Sequence, residues 1–290
     1  MKTPPYTLTR TAALTAVAMV AFASNSLLCR LALAATSIDA VSFTTIRLAS
    51  GAAALWLIVR LRHRDRGRGV GGDWMSAFAL FAYAAAFSLA YLSLTAATGA
   101  LLLFGAVQAT MIGRGLRDGE AFTRPQLAGL LVALGGLLGL LVPGLSAPPI
   151  GGALLMLAAG VAWGVYSLRG RRRGGDPTAA TAGNFVRSVP FALALIAIES
   201  LRGGIAAPDP VGAGYAVLSG ALASGLGYAV WYTALPWLRA TTAATVQLSV
   251  PVLTALAGIV FLGESLTARL VVASVAILGG IALVIRRRAA

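Results

Sequence analysis

Residues Arg239 to Arg288 read RATTAATVQLSVPVLTALAGIVFLGESLTARLVVASVAILGGIALVIRRR. The stretch holds two apolar runs, each long enough as a helix to cross a hydrocarbon layer about 30 Å thick, joined by the turn Gly263-Glu264-Ser265. Pro251 lies in the first run, and three arginines close the second. The same plan occurs once earlier, from Thr98 to Pro143, where Gly119-Glu120 holds the turn and Gly135-Gly136 takes the place of Gly279-Gly280. Gly119 to Gly263 and Gly135 to Gly279 are each a step of 144 residues. The chain therefore reads as a duplication, with residues 1–145 as a first repeat and residues 146–290 as a second.

Composition agrees. The chain is 58% hydrophobic and 11% charged, whereas an ordinary globular domain is about half apolar and about a quarter charged. This is an integral membrane protein, and at about 20 residues per crossing its 290 residues leave nothing over for a sizeable soluble domain. A net charge of +14 would point to nucleic acid in a soluble chain. Here the basic residues gather at the ends of apolar runs, so the charge reports topology and no nucleic-acid partner is expected. Cys29, the lone cysteine, excludes an intramolecular disulfide and reads as a small packing residue. His63, the lone histidine, sits among loop arginines with no second ligand beside it, so neither a metal nor another cofactor is expected. Lys2 and Arg10 precede an apolar run ending near Ala34-Ala35, as in a signal peptide. The duplication needs this helix, so it is read as retained.

The apolar runs predict an all-α fold of ten transmembrane helices. They fall at about 8–34, 40–61, 74–95, 99–111, 125–141, 151–168, 178–201 and 212–233, with two more in the quoted stretch, and the Pro/Gly/Ser segment 143–149 is the seam between halves. An even number of crossings puts both termini on one face. That face carries Lys2, Arg10, the arginines from Arg60 to Arg68, Arg114, Arg117, Arg124, those from Arg169 to Arg173, Arg239 and Arg286 to Arg288. The other carries only Arg30, Arg202 and Arg269. Both termini are therefore expected in the cytoplasm. Five helices per half, an odd number, makes the second repeat enter from the opposite face. Such inverted repeats let a central site open alternately to either side, so transport by alternating access is the leading expectation.

The polar residues left inside the apolar runs are the candidate site. Arg47 and Arg187 lie within matched helices, where a charge is costly. Either they hold an anionic group such as a carboxylate in a guanidinium fork, or they link helices by donating to backbone carbonyls, or snorkel; their matched positions favour structure. Gln108 and Gln247, in matched helices, and Asn25 and Asn184 are either helix glue or ligands for a polar solute. Tyr83, Phe87 and Tyr91 recur at i, i+4 and i+8 on one face, and Trp163 reads as a cavity wall, whereas Trp74 and Trp237 read as interface residues. Pro251 is expected to bend its helix and free a carbonyl, as are Pro190 and Pro236. Glu120 and Glu264 are expected to cap the helices that follow them. Small residues at 135/139, 160/164 and 220/224 would permit close helix packing. No Asp or Glu lies mid-helix, which favours facilitated diffusion over proton coupling.

PVLTALAGIVFLGESLTARLVVASVAILGG (251–280) resembles the end of an EamA-type repeat of the drug/metabolite transporter superfamily, with its proline-bearing helix, Gly-Glu turn and glycine-paired helix. DGEAFTRPQLAGLLVALGG (118–136) is similar, but Val107, beside Gln108, stands where Pro251 would be matched. LLLFGAVQATM (101–111) resembles the YddG-type amino-acid exporters within that superfamily. The resemblance implies ten helices in two inverted five-helix repeats, with helices 1, 3, 4, 6, 8 and 9 around a central cavity, in a bacterial inner membrane. It implies export of amino acids, aromatic ones among them, with Asn25, Tyr83, Phe87, Gln108, Trp163, Tyr232 and Gln247 as wall residues. The alternative is an exporter of another solute, such as a nucleoside, a purine or an amphipathic drug, with or without proton coupling. Small multidrug pumps of the superfamily use a glutamate in helix 1, which this chain lacks. A membrane-embedded enzyme would want clustered His, Asp or Glu, so the chain is read as non-enzymatic. The expected partners are a small-molecule substrate and the lipid bilayer, and because one chain contains both repeats a monomer suffices.

Overall fold

The computed structural model describes residues 8–62, 71–118, 123–142, 144, 147–171, 176–205, 209–238 and 246–285. Among these the chain is helical throughout, without strands. The helices are α1 (Leu8–Ala35), α2 (Ala40–Arg62), α3 (Trp74–Ala90), α4 (Ala96–Arg117), α5 (Arg124–Leu141), α6 (Ile150–Arg171) and α7 (Pro177–Leu201), then α8 (Pro210–Ala234), α9 (Ser249–Leu262) and α10 (Ala268–Ile285). Seven of them, α1, α2 and α4 to α8, are long and apolar enough to cross a membrane; α3, α9 and α10 are shorter apolar helices. Their exposed faces carry large apolar side chains, such as Leu131 and Leu138 on α5 and Val272 and Val275 on α10. This is the surface of a multi-pass membrane protein, whose outer wall meets lipid rather than water.

Several boundaries depart from the sequence reading. α3 stops at Ala90 rather than Thr95, and α4 begins at Ala96 rather than Gly99 because the Thr95 side chain accepts from Thr98 N–H as an N-cap. α4 then continues past Met111 to Arg117, a full crossing where a short one was expected. α8 is not regular: residues Leu218–Leu226 are π-helical. Gly119, Glu120, His63, Pro143, Arg239 and Arg286 to Arg288 lie outside the described residues.

The helices sort into an inner and an outer set. α3 packs on α6 and α7, α4 on α6 and α9, α1 on α8 and α9, α2 on α7 and α8, and α5 on α10. Glycine sets the closest approaches. A Cβ at Gly220 would strike the Arg47 carbonyl, which brings α2 and α8 into backbone contact, and one at Gly160 would strike the Leu103 carbonyl between α6 and α4. The glycine pairs of the sequence behave alike: Gly136 and Gly280 face the α5–α10 crossing, while Gly135 and Gly279 face open space. The 135/139 spacing does not mark a helix interface, because neither glycine has a neighbour where its Cβ would be.

Gly263 closes α9 in the left-handed region at φ 64°, a conformation only glycine takes without cost. The chain turns there so that Glu264 N–H bonds the Gly258 carbonyl. The Glu264 side chain is thereby sent toward α4. It accepts from Ala96 N–H at 2.9 and 3.1 Å and pairs with Arg30 Nε at 3.4 Å. Glu264 is thus a cap, but of α4 and not of the α10 that follows it.

Candidate functional site

A small cavity lies at the centre of the bundle, lined by Phe22 and Asn25 of α1, Tyr83 of α3, Leu103 and Phe104 of α4, Trp163 of α6 and Tyr228 of α8. Five of the six helices expected around it contribute; α9 packs against α1 and α4 but supplies none of the lining residues. The cavity has room for little more than one water molecule, well below the roughly 300–1,000 Å³ of a small-molecule pocket.

The wall is aromatic. The Trp163 ring lies 4.9 Å from that of Tyr83, 5.0 Å from Tyr228 and 5.4 Å from Tyr166. Phe22 meets Tyr228 edge-on at 5.7 Å and Trp231 at 5.8 Å. Such tilted and edge-to-face contacts are favoured by the ring quadrupoles. The α3 face expected from its spacing is buried at Tyr83, Phe87 and Tyr91.

Polar groups converge on one side of the wall. Asn25, buried in α1, accepts through Oδ1 from Ser219 Oγ at 2.9 Å and from Ser224 Oγ at 3.1 Å. Ser224 Oγ accepts from Arg47 Nε at 3.4 Å, and Arg47 Nη2 donates to the Tyr83 hydroxyl at 3.0 Å. Arg47 is 1% exposed, with its guanidinium 5.2 Å from the Tyr83 ring centroid and 4.9 Å from that of Phe87, where the ring faces attract a cation. The π-helical stretch makes this network possible. In an α-helix residues five apart diverge by about 140°, whereas i→i+5 bonding stacks them. Ser219 and Ser224 can therefore reach the same amide oxygen. Ser219 did not stand out in the sequence, and Ser224 did so only as the small partner of Gly220, because an α-helical period sends the two serines to different faces.

The remaining candidates are dispersed. Phe87 is buried beneath Arg47, between Tyr83 and Tyr91, and not on the cavity. Gln108 is 2% exposed, about one turn beyond Phe104 on α4, and its Nε2 has no hydrogen-bond partner. Tyr232 is half-buried with its hydroxyl near Gly170 at the end of α6, and Gln247 is half-buried just before α9; neither lines the cavity. Pro251 is buried in the first turn of α9, where a missing N–H costs least. The break it marks falls at Leu248, a turn between helical residues 246–247 and 249–262, so α9 starts after the bend instead of bending at mid-length. Pro190 is inside α7, and Pro236 lies in a single 3₁₀ turn after α8.

Arg187 and Arg47 are not equivalent. Arg187 donates to the backbone carbonyls of Gly71 and Gly183 at 2.6 and 3.0 Å, at the end of the bundle where the chain enters α3. Asp73 sits beside it. Burial alone would raise the Asp73 pKa, but hydrogen bonds from Ser76 and the Arg169 guanidinium bring it down to about 2. Asp39, Asp73, Asp176 and Asp209 lie at helix N-termini, Asp118 and Glu199 at helix C-terminal ends, and Glu264 in a turn. All seven described acidic residues therefore sit at helix ends or in turns.

Residues 150–286 match the model of the EamA-like transporter family. An uncharacterized protein of Pseudomonas aeruginosa is 59% identical over 280 residues, covering 96% of each chain. The threonine/homoserine exporter RhtA of Salmonella typhimurium is 37% identical over 143 residues, 47% of this chain and 46% of its own. RhtA of Escherichia coli is 36% identical over 120 residues, 40% of this chain and 39% of its own. The match thus spans less than half the length of those exporters. A crystal structure superposes with a TM-score of 0.64 at 20% identity, over 94% of this chain and 98% of its own, which shows a shared fold.

Proposed function

The chain belongs to the EamA-like transporter family, and on that premise we propose that it exports amino acids, aromatic and other neutral ones, across the bacterial inner membrane by alternating access. The observation that carries this reading is the convergence of Asn25, Tyr83 and Trp163 on one central cavity. A mostly apolar wall with a few fixed polar groups suits a solute with a polar head and an apolar side chain. The likeness to threonine/homoserine exporters supports an amino acid, and the ring-lined wall supports a large side chain. Gln108 is assigned to the same path, one turn further along α4; Tyr232, Gln247 and Phe87 are assigned supporting roles.

In this reading α3, α9 and α10 also cross, giving ten spans in two inverted repeats, 1–145 and 146–290. The support is the step of 144 residues and the like orientation of the second glycine in each matched pair. The arginine excess places both termini in the cytoplasm. With every described carboxylate at a helix end or in a turn, the carrier works as a facilitator.

The test is uptake of labelled phenylalanine, tryptophan, threonine and one nucleoside into proteoliposomes of purified protein, with and without an imposed proton gradient. Saturable amino-acid flux indifferent to the gradient is expected, with Trp163→Ala reducing it several-fold at unchanged expression. Flux of the nucleoside alone would overturn the substrate assignment. Strict dependence on the gradient would overturn the facilitator reading.

A further inference from the structure

We propose that Arg47 is the carboxylate anchor of the transport site, set behind Tyr83, and that the carrier is thereby restricted to solutes bearing a carboxylate. The inference rests on the exporter reading above and names the chemical group that reading leaves open. A guanidinium has five N–H donors. Arg47 directs two nitrogens to neutral hydroxyls, those of Ser224 and Tyr83. Its Nη1 is fully buried and has no partner. No carboxylate pairs with it among the described residues. A buried cation in this condition is among the costliest arrangements a membrane interior can hold.

A purely structural arginine does not need that cost. Arg187, in the matched helix, saturates one nitrogen on two backbone carbonyls at the bundle end. Arg47 is held by side chains that belong to, or touch, the cavity wall. Tyr83 lines the cavity, and Ser224 bonds Asn25, which also lines it. Asn25 gives its carbonyl oxygen to two serines, so its amide N–H₂ is the polar group it has left for the cavity. This corner therefore holds a cation and an N–H donor with no acid to answer them. Donors at such a place suit a carboxylate, which an arginine fork grips more strongly than a neutral group.

The experiment is competition against labelled phenylalanine flux in proteoliposomes, using phenylalanine, phenylalanine amide and phenethylamine as competitors. In the wild type the two competitors without a carboxylate should be at least about tenfold weaker, the scale of a lost charge-assisted hydrogen bond. In Arg47→Gln phenylalanine should fall by about tenfold while the amide holds its affinity, closing the gap. Should Arg47→Gln fail to fold, Arg47→Lys, which keeps the charge and loses the fork, serves instead and should narrow the gap. An unchanged preference for phenylalanine in whichever variant folds overturns the proposal, and so does a wild type that treats the amide and the acid alike. In both of these results amino-acid flux persists and the exporter reading stands. Absence of any amino-acid flux in the wild type overturns both readings together.

Discussion

At one end of the bundle Glu264 reaches from the α9–α10 turn to the first residue of α4, and at the other Asp73 caps its own helix while holding Arg169 of α6. Both carboxylates join elements from the two halves of the chain, and the central cavity lies between them. They differ in what each keeps when the helices part. Asp73 Oδ1 accepts from Ser76 N–H at 3.0 Å within α3, so losing Arg169, 2.9 Å away, leaves it hydrogen-bonded. Glu264 has its partners on other helices: Ala96 N–H of α4 and Arg30 of α1. Opening there would strip the carboxylate of both partners and leave the Ala96 N–H unpaired at once, with Arg30 keeping only the Tyr91 carbonyl at 3.0 Å. The Glu264 end should behave as an all-or-none latch, and the Asp73 end as a seam that yields in steps.

The largest effect is expected from Glu264→Ala. It leaves the Ala96 N–H unpaired beside the Thr95 cap and Arg30 without its acid, a loss of about 2–3 kcal/mol for a partly buried charge-assisted set. The thermal midpoint in detergent should fall by several degrees. Cys29, fully buried next to Arg30 in α1, should become reactive to a thiol reagent that leaves the wild type unmodified. Glu264→Gln keeps an acceptor for Ala96 N–H and should fall between. Unreactive Cys29 in Glu264→Ala would remove the latch from the comparison.

Asp73 sharpens the contrast. Asp73→Asn keeps a good N-cap and loses the pairing with Arg169, whose side chain is 36% exposed, so less than about 1 kcal/mol should go. Asp73→Ala removes the cap too and should cost about 1 kcal/mol more. Because the folded pKa is lowered from 3.8 to about 2, the stability Asp73 contributes is complete above pH 3.8 and is lost only as pH falls through about 2. Asp73→Asn should therefore leave any pH dependence of flux between pH 5 and 8 unchanged, and a shifted profile would mean that Asp73 titrates during transport.

The sequence made some of this legible and hid the rest for physical reasons. Helix order followed from run length and hydropathy, and the Tyr83, Phe87 and Tyr91 face from its spacing, because those signals are local. Asn25, Tyr83 and Trp163 stood out as polar and aromatic side chains in apolar runs, the family resemblance implied that they are wall residues, and all three line the cavity. Phe22, Leu103, Phe104 and Tyr228 share that wall, but the first three are ordinary apolar residues of apolar helices and carry no mark. The target of Glu264 lies 168 residues away at Ala96, and only the fold sets that distance. The convergence of Ser219 with Ser224 was hidden because sequence periodicity assumes 3.6 residues per turn and α8 does not keep it.

Arg187→Gln probes why two arginines in matched helices part ways. In sequence the two are alike, each inside an apolar run. What separates them is the close approach of the chain at Gly71, whose N–H bonds the Ala179 carbonyl at 3.0 Å and whose own carbonyl takes Arg187. The arginine thus adds one more stitch to a seam that backbone and Asn184 already hold, Asn184 Oδ1 accepting from Asp73 N–H at 2.9 Å. A glutamine at 187 cannot span the same reach, so about 1 kcal/mol should be lost with flux and its preference for carboxylate-bearing solutes unchanged. If instead Arg187→Gln alters that preference as Arg47→Gln does, the two arginines act on the same substrate group, and the division between a stitched end and a charged centre is wrong.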